Sequence, residues 1–182
     1  MQLDTINIID KEVNLDSDYL RLSFFGEIEV VEFEKLSQLK KLKHLNVSSS
    51  DLFDEHLEVI GQVGTIEILD LDSTEITDNG LRNLKSIKQL RELRLKDNPQ
   101  LTDECIEFLS DIEQLELIHI DNTSITITGL IKLLTLKELK SVILGCDFDN
   151  KIQELMRITE DYSKLEITFK GVGIISNGKL NE

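Results

Sequence analysis

The chain has no tryptophan, one proline, two cysteines and only 5% aromatic residues. Basic residues are also scarce: 20 Lys and Arg stand against 35 Asp and Glu, a formal net charge of −15. Each shortage excludes something. A field of that sign repels phosphate, so neither nucleic acid nor an anionic membrane surface is an expected partner. Cys105 and Cys146 lie far apart in dissimilar surroundings, so they make neither a disulfide framework nor a structural zinc site. No long apolar run offers a membrane span, and the opening MQLDTINIID has neither the basic nor the apolar stretch of a signal peptide. These absences predict a cytoplasmic protein. What is present is a 40% hydrophobic fraction, mostly Leu and Ile, in 182 residues, enough for a sizeable core.

The apolar residues repeat. Leu42-x-x-Leu45-x-Val47 is followed by Ile66-x-x-Leu69-x-Leu71, Leu90-x-x-Leu93-x-Leu95, Leu115-x-x-Ile118-x-Ile120 and Leu139-x-x-Val142-x-Leu144, with starts advancing by 24, 24, 25 and 24 residues. A weaker unit follows at Tyr162-x-x-Leu165-x-Ile167, and another precedes at Ser17 with Leu20 and Leu22 in the apolar slots. After each strand comes a small polar residue (Ser50, Thr74, Asn98, Thr123), then a turn such as Ile76-Thr-Asp-Asn-Gly-Leu81 that opens a helix. Thr and Asp at that point can cap the orphan N–H groups of a helix start. Apolar stripes such as Leu81, Leu84 and Ile87 continue each unit, which predicts helices over 54–63, 78–88, 103–113 and 128–138. A single strand–turn–helix unit cannot bury its stripe alone, so neighbours must stack into one core.

This pattern, with its (I/L)T-D-x-G-L turns, resembles a leucine-rich repeat protein, and among these it is similar to the ribonuclease-inhibitor-like and cysteine-containing subclass. The resemblance implies an α/β right-handed solenoid bent into a horseshoe arc, with parallel strands on the concave face and helices on the convex face. It covers about seven repeats over 17–170 within a single domain spanning 1–182. Residues 1–16, where Ile6 and Ile8 alternate, are expected to form an N-terminal cap, and 171–182, with apolar Ile174 and Ile175, a C-terminal cap or tail. The resemblance implies protein binding rather than an enzymatic activity.

Period-two alternation assigns the third, fifth and seventh positions of each unit to the concave face. The third are Tyr19, His44, Ile68, Glu92, Leu117, Ser141 and Lys164; the fifth Arg21, Asn46, Asp70, Arg94, His119, Ile143 and Glu166; the seventh Ser23, Ser48, Asp72, Lys96, Asp121, Gly145 and Thr168. Asp70 and Asp72 stand about 6.8 Å apart on one strand, a spacing open to metal or acid–base chemistry. Their neighbours favour a structural or partner-binding role: Arg94 is placed beside Asp70, and Lys96 between Asp72 and Asp121. No metal or cofactor site is expected. His44 and His119 are about 15 Å apart at strand spacing, and Cys146 is about 10 Å from His119, too far for a thiolate–imidazole pair. His56 is expected to be solvated at a helix start. Cys105 replaces the glycine of its neighbours at Gly80 and Gly129 and is expected to pack. Asp147-Phe-Asp149-Asn150 lacks the Gly turn and terminal Glu of a calcium loop.

Ile68, Leu117 and Ile143 are apolar where an unpartnered face would be wet. Set among Asp70, Asp72, Glu92, Asp121, Arg94, Lys96 and His119, they have the make-up of a protein interface. The expected function is therefore non-enzymatic. The favoured form is a stoichiometric inhibitor or immunity-type protein, monomeric when free, that neutralises a basic protein partner such as a nuclease toxin. The acids would steer and the three aliphatic residues anchor. The alternative is an adaptor or scaffold.

Overall fold

A computed structural model describes residues 4–22 and 28–181, with the backbone alone for 146, 147 and 149. Seven strands run parallel in one sheet: β3 (Tyr19–Arg21), β4 (His44–Asn46), β5 (Ile68–Asp70), β6 (Glu92–Arg94), β7 (Leu117–His119), β8 (Ser141–Leu144) and β9 (Glu166–Phe169). Leu20, Leu45, Leu69, Leu93, Ile118, Val142 and Ile167 sit side by side in that register, all essentially without solvent contact. One hydrophobic core runs unbroken from Ile8 to Ile175. A one-residue slip anywhere would turn this row out to solvent, so burial fixes the register.

Two hairpins bracket the parallel strands. Antiparallel β1 (Thr5–Ile8) and β2 (Lys11–Asn14) send Ile8 and Val13 into the core. The Ile9 N–H donates to the Glu32 carboxylate at 3.0 Å, tying the hairpin to the first helix, α1 (Val30–Glu34). At the far end β10 (Gly173–Ser176) pairs antiparallel with β9, and β11 (Lys179–Asn181) pairs antiparallel with β10, extending the sheet. Asn177 and Gly178, both with positive φ, make the two-residue turn between them. That Asn-Gly pair is a strong hairpin signal. The sequence predicts a C-terminal cap or tail over 171–182, with apolar Ile174 and Ile175 singled out within it.

The last repeat corrects the expected register. Val142 pairs with Ile167 and Leu144 with Phe169, so the unit is Lys164-x-x-Ile167-x-Phe169, two residues beyond the Tyr162 frame. Side-chain parity survives a slip of two, which is why the apolar pattern alone did not expose it. Glu166, Thr168 and Lys170 thus take the third, fifth and seventh places. Lys164 does not belong on the face.

The outer side also departs from expectation. Helices form at Asp54–Ile60 (α2), Ile106–Leu109 (α3) and Ile127–Leu133 (α4), each shorter than the spacing predicted, and Gly80–Ser86 is a 3₁₀ helix. The stripe Leu81, Leu84, Ile87 steps by threes, which matches three residues per turn better than 3.6. The turns themselves are held by a ladder between repeats. The Asp54 carboxylate accepts the Thr77 N–H and hydroxyl at 2.7 Å each; Asp78 does the same for Thr102 and Asp103 for Thr126. A Cβ at Gly80 or Gly129 would collide with the carboxylate of that rung. At the middle rung Cys105 takes the glycine's place and is fully buried. Burial, with Asp78 and Asp103 nearby, pushes its thiol well above the usual range, so it is no nucleophile. Asp78→Ala is expected to lower stability by about 1–2 kcal/mol in urea unfolding, since two donors lose a charged acceptor.

Candidate protein-binding face

The face opposite the core carries three rows of side chains, one strand apart within each row. The first row is Tyr19, His44, Ile68, Glu92, Leu117, Ser141 and Glu166; the second is Arg21, Asn46, Asp70, Arg94, His119, Ile143 and Thr168. The strands' exits bring Ser48, Asp72, Lys96, Asp121, Gly145 and Lys170 into a third row, with Ser23 outside the described residues. All ten candidate residues of the sequence reading lie on β5–β8 or their exits. They are not equally open. Ile68, Asp72, Glu92, Arg94, Lys96, Leu117, Asp121 and Ile143 are half-buried, whereas Asp70 is 5% and His119 7% exposed. Alternation decides which side a residue faces, but not how open it is once its neighbours are in place.

Two apolar islands stand out. Tyr19, 49% exposed, meets the His44 ring edge-on at 4.8 Å, and Ile68 continues the row. At the other end Ile174, 40% exposed, pairs with Thr168 beside Ile143, with Leu117 one strand further in. Tyr19 and Ile174 were outside the candidate list. Tyr19 was already placed at a third position, and the Asn-Gly turn would have placed Ile174 on the sheet.

Between the islands the charges do not pair as expected. Arg94 binds Glu92 on its own strand, Nη2 to Oε1 at 2.5 Å, instead of Asp70. Lys96 binds Asp97 at 2.8 Å instead of bridging Asp72 and Asp121. Its backbone N–H donates to Asp72 at 2.7 Å. Asp121 reaches over Gly145 to Lys170 at 2.9 Å, along a path that a Cβ at Gly145 would block. Arg94 and Lys96 take partners from their own segment, where the side chain need not stretch across a twisted pair, whereas Asp121 pairs two strands away. Asp70 is left with neutral donors, the Asn46 amide at 2.8 Å and the Asp72 N–H at 3.1 Å.

These placements set the titration behaviour. Burial, then the neighbouring Asp70, pushes Asp72 up to about 6. Burial, then Lys170, brings His119 down to about 4, so it is neutral at pH 7. Burial also lowers His44. A carboxyl raised in the folded state favours folding only below its unfolded value, and that contribution is lost as pH rises through about 6. Asp72→Asn should therefore be more stable than the parent at pH 7.5, by about 1–2 kcal/mol after allowance for solvent screening. The advantage should fade between pH 6 and 4. Urea midpoints across that range test the sign.

His56 overturns its expected solvation: it is 2% exposed. Its Nδ1 accepts the Phe53 N–H at 3.1 Å and its Nε2 meets the Ile28 carbonyl at 3.1 Å, so it braces the outer side. Clefts of about 420 and 450 Å³ are lined by outer-side and loop residues such as Phe53 and Thr135. Among the described residues no group of three His, Cys, Asp or Glu is placed to hold a metal, and no helix is long and apolar enough to cross a membrane.

No protein-family model matches the chain, and no curated protein matches it. Among solved structures it is similar to an internalin (inlF) of Listeria monocytogenes, with 17% identity over 88% of this chain and 50% of that one, at a TM-score of 0.50. Internalin C2 of the same organism aligns with 21% identity over 62% of this chain and 46% of that one, at a TM-score of 0.48. The chain spans about half the length of the solved structures it matches. Taken with the parallel sheet and its outer helices, the likeness shows the fold: an α/β leucine-rich repeat solenoid, strands on the concave face and helices on the convex one.

Proposed function

We propose that the chain is a protein-binding module that works through its concave face, non-enzymatic and in the cytoplasm. The carrying observation is the pair of apolar islands, Tyr19–His44–Ile68 and Leu117–Ile143–Ile174, left on an open sheet on either side of a charged middle. Apolar anchors set among polar groups that exclude water are what binding hot spots consist of. The favoured form is an immunity-type inhibitor that binds one basic partner. The support for a basic partner is the net charge of −15, more than the face itself, since Glu92 and Asp121 each hold a cation of their own. Steering then comes from the whole field and anchoring from the islands. An adaptor is the alternative, and the ribonuclease-inhibitor-like resemblance lends the inhibitor reading its analogy alone.

The test is affinity capture from cells with the parent chain and with Ile143→Asp. An inhibitor returns one basic protein at one-to-one stoichiometry and loses it on Ile143→Asp; an adaptor returns several. Glu107→Lys, on the outer helix, is the control. If it weakens capture as much as Ile143→Asp does, the interface is not the concave face.

A further inference from the structure

We infer that Asp70, Asp72 and His119 form a receptor for a single Lys or Arg side chain presented by the concave-face partner. This rests on the protein-binding reading of the face and names the group that reading leaves open. Five carboxylates crowd the centre of the sheet, and three of them are spoken for: Glu92 by Arg94, Asp97 by Lys96 and Asp121 by Lys170. The remaining two, Asp70 and Asp72, have no Lys or Arg ammonium or guanidinium bonded to them among the described residues.

The two differ in what they can offer. Asp70 is closed, both oxygens being occupied by neutral donors. Asp72 has one oxygen bound by the Lys96 N–H, and its other oxygen, Oδ2, accepts no hydrogen bond among the described residues. Nδ1 of His119 lies 3.9 Å from that oxygen, beyond hydrogen-bond reach. His119 is only 7% exposed, and its Nε2 has no hydrogen-bond partner among the described residues. A buried ring with an unpaired nitrogen packs worse than a leucine would. Its other nitrogen faces that Asp72 oxygen without hydrogen-bonding it, and the neutral ring brings no positive charge there at pH 7. The unprotonated Nδ1 is then a second acceptor for a cation held by Asp72, while the ring itself does not neutralise that carboxylate. Repulsion from Asp70 and loss of water both make an ionised Asp72 costly, and both are relieved by a cation.

The chemistry chooses a side-chain cation over a metal ion. Both Asp70 oxygens already hold a neutral donor, and no group of three His, Cys, Asp or Glu among the described residues is placed to complete a metal's coordination shell. An ammonium or guanidinium needs one carboxylate oxygen and a favourable field. The flanking apolar islands suit its aliphatic stem and the residues beside it.

n-Butylammonium chloride serves as the probe, with sodium chloride at equal ionic strength as reference. Carbon-detected NMR follows the carboxyl of each Asp and Glu through a pH titration. The cation binds ionised Asp72, so at about 100 mM it should lower that group's midpoint by about one pH unit relative to sodium, for millimolar affinity. Glu92 and Asp121, already paired, should not move apart from the sodium reference. His119→Phe keeps a packed ring without its nitrogens and should reduce the displacement at least twofold. Equal Asp72 midpoints in the two salts, or an unchanged displacement in His119→Phe, would overturn the receptor as drawn. Because no protein partner is needed, the two readings fail separately. A probe that binds Asp72 in a chain whose concave face captures nothing sinks the module and leaves the receptor. Capture that depends on Ile143 with no probe effect does the reverse.

Discussion

Leu93→Ala is expected to cost about 2–5 kcal/mol, the largest loss of any single strand truncation. Leu93 has no solvent contact and lies at the middle of β6, between Leu69 of β5 and Ile118 of β7. Helical layers close the core behind it, so removal of its isobutyl group leaves a cavity that no neighbour can fill without disturbing the next repeat. Leu20 occupies the same slot in β3, the first parallel strand, where β4 flanks it on one side only in the sheet. In a one-dimensional stack, stability is a sum of repeat and nearest-neighbour terms, so Leu20→Ala should cost about half as much. Urea unfolding followed by circular dichroism gives both values. Equal costs at the two sites would mean that the hairpin β1–β2 completes the end as firmly as a neighbouring repeat completes the middle.

How much of this was legible depends on which forces wrote it. The period and the register of β3–β8 were readable because exposing a Leu row is costly at every repeat, and that cost leaves a mark in sequence. The parity of the face was readable for the same reason, which is why Ile68, Asp70 and the other eight candidates were placed together. Parity says nothing about slips of two, so Lys164 was put on a face that belongs to Glu166. It also says nothing about exposure, and Asp70 and His119 are buried although they lie on that face. Charge pairing was misread because several carboxylates lie within reach of each cation, and rotamer choice decides. Arg94 and Lys96 both took partners from their own segment. His56 is buried for a reason that no local pattern contains, since its Nε2 partner is the Ile28 carbonyl in another unit. Two signals were present and unread. The by-threes spacing of Leu81, Leu84 and Ile87 pointed to 3₁₀ geometry, and Asn177-Gly178 pointed to a closing hairpin.

Asn98→Ala is expected to cost about 3–5 kcal/mol, because it strands several buried backbone groups at once. Asn98 has no solvent contact. Its amide nitrogen donates to the Leu71 and Leu95 carbonyls at 2.9 Å each, and its oxygen accepts the Thr74 N–H at 2.9 Å. It therefore stitches the exit of β5 to the exit of β6. Thr74 and Thr123, in the same slot of their units, use their hydroxyls to bond the carbonyl three residues back, Leu71 and Ile120. Asn98→Thr separates the two duties. A threonine there can satisfy Leu95 as Thr74 satisfies Leu71, but it cannot reach back to Leu71 and the Thr74 N–H, so its cost should fall between zero and that of Ala. The consequence extends to the binding face, since the Lys96 N–H that holds Asp72 lies on the same turn. Hydrogen exchange of the Thr74 and Lys96 amides should accelerate together in Asn98→Ala, and Thr74 alone in Asn98→Thr. Protection of Thr74 retained in both variants would show that the turn is held by its left-handed Ser73 and Asp97 backbone and the strands on either side, and that the asparagine is replaceable.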